Sequence, residues 1–402
     1  MAVDITTGNP PQELLSRLRV LIVNQSLEMG GAERQSLYLA RYLKDEMGVE
    51  VHVWGSHLAG LAMERGREWG IECRIVPMFY DSPFVAFTAG AGRFVAECRR
   101  LRPSIILPYT HPANVMCALT WRSTGASVCI WNQRDPGQQR FVLRLEKLAV
   151  KATPYFVANS NEGAAFLTGE LDADPRLVRV IRNGVPIPTD LPDKHEARRE
   201  FDIPDDALVA CMVANLHSGK DHATLVTAWK QVREELAAVG RRALLVLAGR
   251  DGGERKRLVR LAEELELEPA GIRYTGQMNR PDRAFRAADI CVQSTKHEGC
   301  SNSVLEAMIL GLPVVGTDLP SMRETLGEAS SDWLAPPYDA DGLARLIIRL
   351  LLDDELRRRV GRANRTRASR LFSLESMCVN TTNLIASIAQ ERRIPPSRPC
   401  RI

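Results

Sequence analysis

The sequence predicts an α/β protein made of two doubly wound domains. Short apolar runs rich in β-branched residues alternate with longer amphipathic stretches, a pattern typical of parallel strands separated by helices. The alternation is interrupted once by a segment rich in proline and charge, and then starts again. A chain of 402 residues also exceeds one ordinary core, because domains usually run ~100–200 residues.

The first series contains seven candidate strands. Their near-continuous apolar character indicates strands covered on both faces, as in a parallel sheet flanked by helices. They span residues 18–23, 49–54, 71–76, 104–109, 127–131, 154–158 and 177–181. We assign residues 17–185 to this first domain and residues 1–16 to a flexible leader without the features of a secretory signal.

The second series follows the text GVPIPTDLPDKHEARREFDIPDDA, which is rich in proline and charge and predicts a linker followed by a short helix, together assigned to 186–204. Its candidate strands span residues 207–215, 242–249, 272–276, 289–294 and 312–317. We assign residues 205–372 to the second domain. A C-terminal helix at 373–392, which we expect to return to the first domain, and a disordered tail at 393–402 complete the prediction.

The composition excludes several classes of function. Hydrophobic residues make up 45% and charged residues 25% of the chain, and no window is long and apolar enough for a membrane span. The net charge of +4 is small and the basic residues are mixed with acidic ones, so we expect no nucleic-acid partner. A contact with an anionic membrane surface stays open, and we expect a cytoplasmic protein.

The nine cysteines are scattered along the chain and form no CxxC pair. This pattern argues against a disulfide framework and against a zinc site. We therefore expect reduced thiols and no bound metal.

The segment most informative about chemistry is STKHEGCSNSVLEAMILGLPVVGTDLPSMRE. In it Glu298 ends a strand-to-helix turn, and Glu306 lies eight positions further on, inside a helix opened by Asn302 or Ser303. The first N–H groups of a helix have no partners within the helix, and the positive end of the helix dipole reinforces them. Such a turn can bind a diphosphate without a metal ion.

The two glutamates supply hydrogen-bond acceptors when they are ionised. Glu306, about one turn into the helix, can accept hydrogen bonds from a ribose diol, and Glu298 can face sugar hydroxyl groups. As a bare pair, however, two glutamates at a loop–helix junction are equally compatible with solvated surface charges.

The surrounding text resembles the family 4 retaining glycosyltransferases, also called glycosyltransferase group 1, which have the GT-B fold. Their pattern is Glu, seven residues, Glu, then Ala-Met and a Gly-x-Pro-Val-Val strand, and EGCSNSVLEAMILGLPVVGTD matches it closely. The resemblance extends over most of residues 19–372. It implies two Rossmann-like domains facing each other across a cleft, with the nucleotide-sugar donor mainly on the C-terminal domain and the acceptor mainly on the N-terminal one.

The resemblance also implies roles for residues of this segment. Glu298 contacts the transferred sugar and Glu306 the ribose, and the backbone amides near the helix start bind the phosphates. The donor-binding residues predicted around that helix start are Gly299, Cys300, Ser301, Asn302 and Ser303.

Lys220, in VANLHSGKDHATLVTAW, stands where the family places a lysine on the donor diphosphate, and a cation there would stabilise the departing nucleotide. The family commonly has an arginine a few residues earlier, where this chain offers Asn215 and His217. We count both among the donor-binding residues, although this is a departure from the family pattern. Gly276 and Gln277 lie in the segment that frames the base, with backbone groups as its partners.

Three residues of the N-terminal half complete the predicted site. Gly30 and Gly31 follow the first strand and begin a helix, although the rest of a GxGxxG dinucleotide fingerprint is missing. The resemblance makes them a loop beside the donor phosphate. His111 follows a strand at its carboxyl end and, by the same resemblance, contacts the transferring sugar, whereas a lone histidine there is generally more often structural.

We thus expect His111, Lys220 and Glu298 to be catalytic in a metal-independent, front-face retaining transfer without a cofactor. The donor is a UDP-sugar or GDP-sugar, and the acceptor a glycan or a lipid-linked molecule selected by loops such as VPMFYDSPFVAF. Two alternatives stay open: a non-hydrolysing sugar-nucleotide epimerase, and a non-catalytic protein that binds nucleotide sugars.

Overall fold

A computed structural model of the protein describes residues 11–78, 84–137, 143–267 and 271–397. The chain divides into two compact units. Unit 1 comprises Met1–Gly184 and Leu374–Ile402, and unit 2 comprises Val185–Ser373. The start of the predicted leader, the end of the predicted tail and the middle of VPMFYDSPFVAF lie outside the described residues.

Unit 1 is built on a parallel sheet of seven strands. In chain order the strands are β1 (Arg19–Leu27), β2 (Glu50–Ala59), β3 (Glu72–Ile75), β4 (Ile105–Pro108), β5 (Val128–Gln133), β6 (Tyr155–Ala158) and β7 (Val178–Val180). Their order across the sheet is β3-β2-β1-β4-β5-β6-β7. All seven strands were predicted from the sequence.

Helices cover both faces of this sheet. They are α1 (Gln12–Leu15), α2 (Gly31–Asp45), α3 (Leu61–Glu68), α4 (Phe84–Leu101), α5 (His111–Thr124), α6 (Leu143–Ala152), α7 (Asn161–Ala165) and, last in the chain, α16 (Leu374–Glu391). Along β1, Val20 and Ile22 pack into one hydrophobic cluster while Leu21 and Val23 pack into another. Because successive side chains point to opposite faces, this double burial produces the continuous apolar runs seen in the sequence.

Unit 2 repeats this plan with six parallel strands. The strands are β8 (Leu208–Val213), β9 (Ala243–Ala248), β10 (Ile272–Gly276), β11 (Ile290–Gln293), β12 (Val314–Thr317) and β13 (Leu334–Ala335). The order across the sheet is β10-β9-β8-β11-β12-β13. The two-residue strand β13 was not predicted, because it is too short to show a pattern.

The helices of unit 2 lie in the connections and at its end. They are α8 (Lys194–Glu200), α9 (His222–Ala238), α10 (Arg255–Glu264), α11 (Asp282–Ala287), α12 (Asn302–Ile309), α13 (Pro320–Leu326), α14 (Ala340–Leu352) and α15 (Asp354–Leu371). Helices α9 and α14 pack on one face of the sheet, and α11, α12 and α15 pack on the other. Together, the two units confirm the predicted pair of parallel-sheet, Rossmann-like domains.

The predicted leader and tail are wrong where the structure describes them. Residues 12–15 form α1, and Leu15 is fully buried in the core of unit 1. At the other end Ile394 is buried in the same cluster, and the amide of Ser397 donates a hydrogen bond to the carbonyl of Arg17 at 2.7 Å. One buried apolar side chain in each segment holds it against unit 1, although the amino-acid composition of both segments is typical of poorly ordered chain ends.

The short helix predicted after the linker is confirmed, but it belongs to unit 2 and not to a linker. Helix α8 lies inside the range 186–204 and packs into unit 2, with Ala197 fully buried. Arg198 and Lys194 both bind the carboxylate of Asp289, at 3.0 and 2.6 Å. These ion pairs to the buried Asp289 make α8 part of the domain, so unit 2 begins at Val185.

Eight cysteines lie in the described ranges, and all of them are free and buried. No described helix combines the length and the apolar character that crossing a lipid bilayer requires.

Candidate functional site

The predicted site residues follow the strands where each sheet reverses its order. In unit 2, the chain builds β8, β9 and β10 in one direction and then returns to place β11 on the other side of β8. Ligands of doubly wound sheets bind at such a switch point, beyond the carboxyl ends of the strands. Lys220 follows β8 and Glu298 follows β11.

Lys220 and Glu298 form an ion pair between Nζ and Oε2. Both side chains are mostly buried, with 19% and 14% of their surfaces exposed. The pairing lets two charges be removed from water together, whereas either one alone would carry a large desolvation cost. The structure therefore brings together two residues that the sequence assigned to different parts of the donor.

Gln293, the last residue of β11, links this pair to the start of α12. Its Nε2 donates a hydrogen bond to Oε2 of Glu298 at 3.3 Å, and its Oε1 accepts one from the hydroxyl of Ser303 at 3.2 Å. The Ser303 hydroxyl also lies 3.1 Å from that of Ser301. Gln293, which is fully buried, was not predicted, although a polar residue at the end of an apolar strand is a signal for such a role.

Helix α12 is suited to an anion. It begins at Asn302, one of the two predicted positions, after the N-cap residue Ser301, which makes no side-chain cap hydrogen bond. Its first turn contains no acidic residue that would compete for the backbone N–H groups. Glu306 lies one turn into the helix, as predicted, and is half-buried. Gly299 and Cys300 precede the N-cap residue, and Cys300 is buried.

Hydrogen bonds join the loop before α9 to the loop before α12. The backbone carbonyl of Gly219 accepts from the amide of Lys296 at 3.2 Å and from the hydroxyl of Thr295 at 3.3 Å. The carbonyl of Asp221 accepts from the hydroxyl of Ser294 at 2.8 Å. These contacts fix the segments that carry Lys220 and Glu298 relative to each other.

Asn215 and His217 have local partners. Oδ1 of Asn215 accepts a hydrogen bond from the amide of Arg250 at 3.2 Å, and Nδ1 of His217 accepts one from the amide of Gly219 at 3.1 Å. Partial burial, reinforced by the charge of Lys220, lowers the pKa of His217 below 6.5. His217 is therefore mostly neutral at pH 7 and does not replace the permanent charge of an arginine.

Gly276 ends β10 with a left-handed backbone, at φ 72°, which a glycine adopts without strain. Its carbonyl accepts hydrogen bonds from the amide of Gly249 at 2.9 Å and from the hydroxyl of Thr275 at 3.1 Å. Because this carbonyl is already hydrogen-bonded within the fold, the amide of Gly276 and the backbone of Gln277 are the better candidates for contact with a base.

In unit 1 the predicted residues also follow the strands at the switch point, which are β1 and β4. Gly30 is the N-cap residue of α2 and Gly31 its first residue. The first turn of this helix contains the buried Glu33. Oε2 of Glu33 lies 2.5 Å from the position that a Cβ atom on Gly30 would occupy. This carboxylate weakens α2 as an anion site by like-charge repulsion and leaves α12 as the better one.

His111 is the first residue of α5, and its side chain is 1% exposed. Its Nε2 lies 2.8 Å from Oε1 of Glu146, whose side chain is fully buried. Because a carboxylate accepts hydrogen bonds, Nε2 carries the proton. The rings of Trp131 and Phe166 meet the imidazole edge to face, with centroids 5.7 and 6.1 Å away. Glu146, Trp131 and Phe166 thus surround the imidazole, and a sugar would reach it only if they moved apart. Direct contact between His111 and the transferred sugar remains a prediction.

Glu146 escaped the sequence analysis because α6 has the general pattern of an amphipathic helix. Burial along α6 is the reverse of what side-chain polarity predicts: Glu146 is buried, whereas Leu143 and Leu148 are 46% and 54% exposed. An acidic residue at an inward-facing position was the available signal.

In unit 2, hydrogen bonds through Gln293 connect Lys220 and Glu298 to Ser303 at the start of α12, and the other predicted residues of this unit lie in the neighbouring loops and in α12. The predicted residues of unit 1 occupy separate positions. Within the described ranges, His, Cys, Asp and Glu side chains form no group of three or more that could ligate a metal ion.

Comparison with known proteins identifies two matching family models. The model "Glycosyltransferase Family 4" matches residues 29–187, and "Glycosyl transferases group 1" matches residues 193–367. Together they account for most of both units.

Curated relatives share about a quarter of their aligned residues with this chain. A D-inositol 3-phosphate glycosyltransferase of Streptomyces bingchenggensis (strain BCW-1) is 26% identical over 249 residues, which are 60% of this chain and 54% of the relative. A 2-deoxystreptamine N-acetyl-D-glucosaminyltransferase of Streptomyces fradiae is 25% identical over 363 residues, 82% of this chain and 85% of the relative. The chain spans only 54% to 61% of the length of the first three inositol phosphate transferases it matches.

Among solved structures, the chain is similar to Anabaena Alr3699/HepE in complex with UDP and glucose. The TM-score is 0.78, the identity is 18%, and the match covers 93% of this chain and 99% of that protein. At this identity the likeness concerns the fold. The same Anabaena protein is also known in complex with UDP-glucose, where the TM-score is 0.77 and the identity 20%.

Proposed function

Because the chain belongs to the group 1, family 4 glycosyltransferases, we propose that it transfers a sugar from a nucleoside diphosphate sugar to a hydroxyl group of an acceptor. The observation that carries this proposal is the Lys220–Glu298 ion pair, linked through Gln293 to the start of α12. A cation, a carboxylate and a set of backbone N–H groups are the three kinds of group that a sugar diphosphate needs.

The diphosphate would bind at the start of α12 and to Lys220. The N–H groups of the first turn and the helix dipole supply partial positive charge, and the ammonium of Lys220 supplies a full one. In a mostly buried site these charges act in a low dielectric, where they are worth more than in water. We therefore propose that the reaction needs neither a metal ion nor another cofactor.

Donor binding would change the partner of Glu298. As the diphosphate takes over the ammonium of Lys220, the carboxylate of Glu298 becomes available to the hydroxyl groups of the sugar, while Gln293 keeps it in place. Glu306, one turn into α12, would accept the ribose hydroxyls. Recognition of the phosphate and recognition of the sugar are thus coupled through one ion pair.

The chemical step would proceed with retention at the anomeric carbon. The acceptor oxygen attacks the anomeric carbon from the face that the leaving phosphate oxygen occupies, and the glycosidic bond forms as the bond to that phosphate oxygen breaks. The acceptor proton passes to the departing phosphate, so the products are the glycoside and the nucleoside diphosphate. Lys220 and the amides of α12 stabilise the charge that develops on the leaving group.

For the substrates, the relatives indicate where to begin. One structural relative was crystallised with UDP-glucose, and two sequence relatives act on an inositol phosphate and on 2-deoxystreptamine. We propose a UDP-sugar as the first donor to test, with a GDP-sugar second. The acceptor would be a hydroxyl-rich molecule, such as a glycan or a lipid-linked saccharide.

The first experiment is a thermal-shift panel of nucleoside diphosphates and nucleotide sugars, run with EDTA and without it. A ligand at ~100 times its dissociation constant adds about 2.7 kcal/mol to the free energy of unfolding, enough to raise the melting temperature measurably. We expect one base to stabilise the wild type but not the Glu306→Ala variant. If no nucleotide stabilises the wild type, or if stabilisation requires a divalent cation, the metal-free donor site is wrong.

A further inference from the structure

A cavity lies in unit 2, beside the proposed donor site. Its volume is about 310 Å³, and its walls come from the loop before α9 and the first turns of that helix, the start of α10, Lys296, Tyr338 and the first residue of α14. No lining residue belongs to α12 or to the turn after β10, and Lys220 is the one member shared with the donor site as far as the structure describes it. The two sites are therefore neighbours with different walls.

The charges that line this cavity largely cancel. Arg257 is paired with Glu254 at 2.8 Å, and Lys220 is paired with Glu298. This leaves the ammonium of Lys296, which has no carboxylate partner within the described ranges, and the carboxylate of Asp221. The charges left after this pairing are one ammonium and one carboxylate, so the cavity holds no excess positive charge for a phosphate group, and an uncharged, polar ligand suits it better.

The hydrogen-bonding groups in the cavity are of both kinds. Asp221 is 8% exposed, and its carboxylate accepts a hydrogen bond from the hydroxyl of Thr224 at 2.6 Å. Lys296 is a donor, and the hydroxyl groups of Ser218 and Thr227 can donate or accept. A mixture of one carboxylate, one ammonium and several hydroxyl groups matches a ligand that has many hydroxyl groups of its own.

Tyr338, an aromatic residue with an unusual backbone conformation, lines this cavity. Tyr338 is 65% exposed and has a left-handed backbone, with φ 64°. Residues other than glycine, asparagine and aspartate rarely adopt this conformation, and a bulky side chain there is an outlier. The ammonium of Lys296 lies 5.9 Å from the centre of the ring. An exposed tyrosine contributes little burial to the fold, so the strain at this position points to a use of the ring at the surface.

We propose that this cavity binds one sugar ring, as a carbohydrate subsite separate from the donor site. The C–H face of a pyranose would lie on the ring of Tyr338, and its hydroxyl groups would bind Asp221, Lys296 and Thr227. The volume is at the lower end of the ~300–1,000 Å³ of small-ligand sites, which leaves room for a single sugar unit. The occupant is a hexose, either free or at the end of a glycan.

The subsite is connected to the loop that carries Lys220. The amide of Lys296 donates a hydrogen bond to the carbonyl of Gly219 at 3.2 Å. A sugar bound to Lys296 would therefore order the segment that also presents Lys220. This provides a route by which a carbohydrate on unit 2 would affect donor binding.

The test is binding of D-glucose and of N-acetyl-D-glucosamine to the full chain without nucleotide, measured by saturation-transfer NMR. We expect one of them to bind and the Tyr338→Asn variant to lose at least tenfold in affinity. Asparagine tolerates a left-handed backbone, so this variant should melt no lower than the wild type, which separates lost binding from misfolding. Thr227→Val, which removes one exposed hydroxyl without changing size, should weaken binding less.

Leu58→Asn is the matched control, because Leu58 is also exposed, at 55%, has a φ of 48° and lies in unit 1. It should bind the sugar as the wild type does. The proposal is overturned if neither sugar binds the wild type, if Tyr338→Asn binds like the wild type, or if inorganic phosphate displaces the sugar. UDP titration of the same variants reports on the donor site separately, since Tyr338→Asn should leave UDP binding without added sugar unchanged.

Discussion

The ammonium group of Lys220 is paired with the carboxylate of Glu298, 78 positions further along the chain. The pair forms because β8 and β11 are neighbours in the sheet, so the loops that follow them meet at one edge. Each residue neutralises the other, and a diphosphate must compete with Glu298 for Lys220.

Lys220→Ala and Glu306→Ala should each lower turnover by about 10²-fold or more, because each removes an electrostatic contact to the donor. Steady-state kinetics with the donor found in the thermal-shift panel measures the effect. Lys230→Ala is the control, since Lys230 lies on the surface of α9 with a weak ion pair at 3.9 Å to Glu234. Near-normal turnover in both site variants would rule out the assignment of the donor site.

Gln293→Leu should lower turnover by about tenfold without unfolding the protein. The substitution preserves the approximate size of a buried side chain but removes the hydrogen bonds to Glu298 and Ser303. Ser303→Ala removes only one of these contacts and should have a smaller effect. Equal turnover in the wild type and in Gln293→Leu, measured with the same donor, would show that Gln293 does not position Glu298.

Affinity for the nucleoside diphosphate should rise as the pH falls from about 8 to about 6, in part through His217. Burial and the charge of Lys220 lower the pKa of this imidazole in the free protein, whereas a bound diphosphate would favour the imidazolium. Binding therefore takes up a proton, and lower pH favours it. Calorimetric titrations at several pH values measure the slope.

His217→Gln separates this effect from titration of the phosphate itself, since the ligand is the same in both titrations. The variant should show a shallower pH dependence than the wild type. The same slope in both proteins would mean that His217 does not contact the diphosphate.

Unit 2 should lose stability as the pH falls from about 6.5 to about 4, because of His222. Burial lowers the pKa of this imidazole to about 4, while the unfolded chain titrates near 6.5. Between these values the unfolded state binds the additional proton, so the free energy of unfolding decreases with decreasing pH, by about 3 kcal/mol in total. Above pH 6.5 the contribution of His222 to the free energy of unfolding no longer changes with pH. Urea denaturation over this range should show a smaller pH dependence in His222→Gln than in the wild type.

Glu146→Leu should destabilise unit 1 by about 1–3 kcal/mol, since it leaves the buried Nε2–H group of His111 without its acceptor. The double variant His111→Phe with Glu146→Leu should recover most of this loss, because Trp131 and Phe166 offer apolar surroundings to a phenyl ring. A double variant no more stable than the single one would contradict this account. If the recovered protein has normal turnover, the pair is structural; if turnover is lost, the predicted contact of His111 with the sugar is supported.

Local sequence was sufficient for the strands and for the first half of the site. A buried parallel strand must be apolar on both faces, so all seven strands of unit 1 and five of the six in unit 2 could be recognised from short windows. The positions of Glu298 before α12 and of Glu306 one turn inside it depend only on the turn and helix that contain them. The match to the family pattern added chemical roles to these positions.

Tertiary structure alone decided which side chains meet. The partners Lys220 and Glu298, and His111 and Glu146, are 78 and 35 positions apart, and their contact depends on the order of strands and the packing of helices, which apolar periodicity does not encode. The same limit explains the errors at the chain ends and in the linker. Composition describes a whole segment, whereas the burial of a single residue such as Leu15 or Ile394 is enough to hold that segment against a domain.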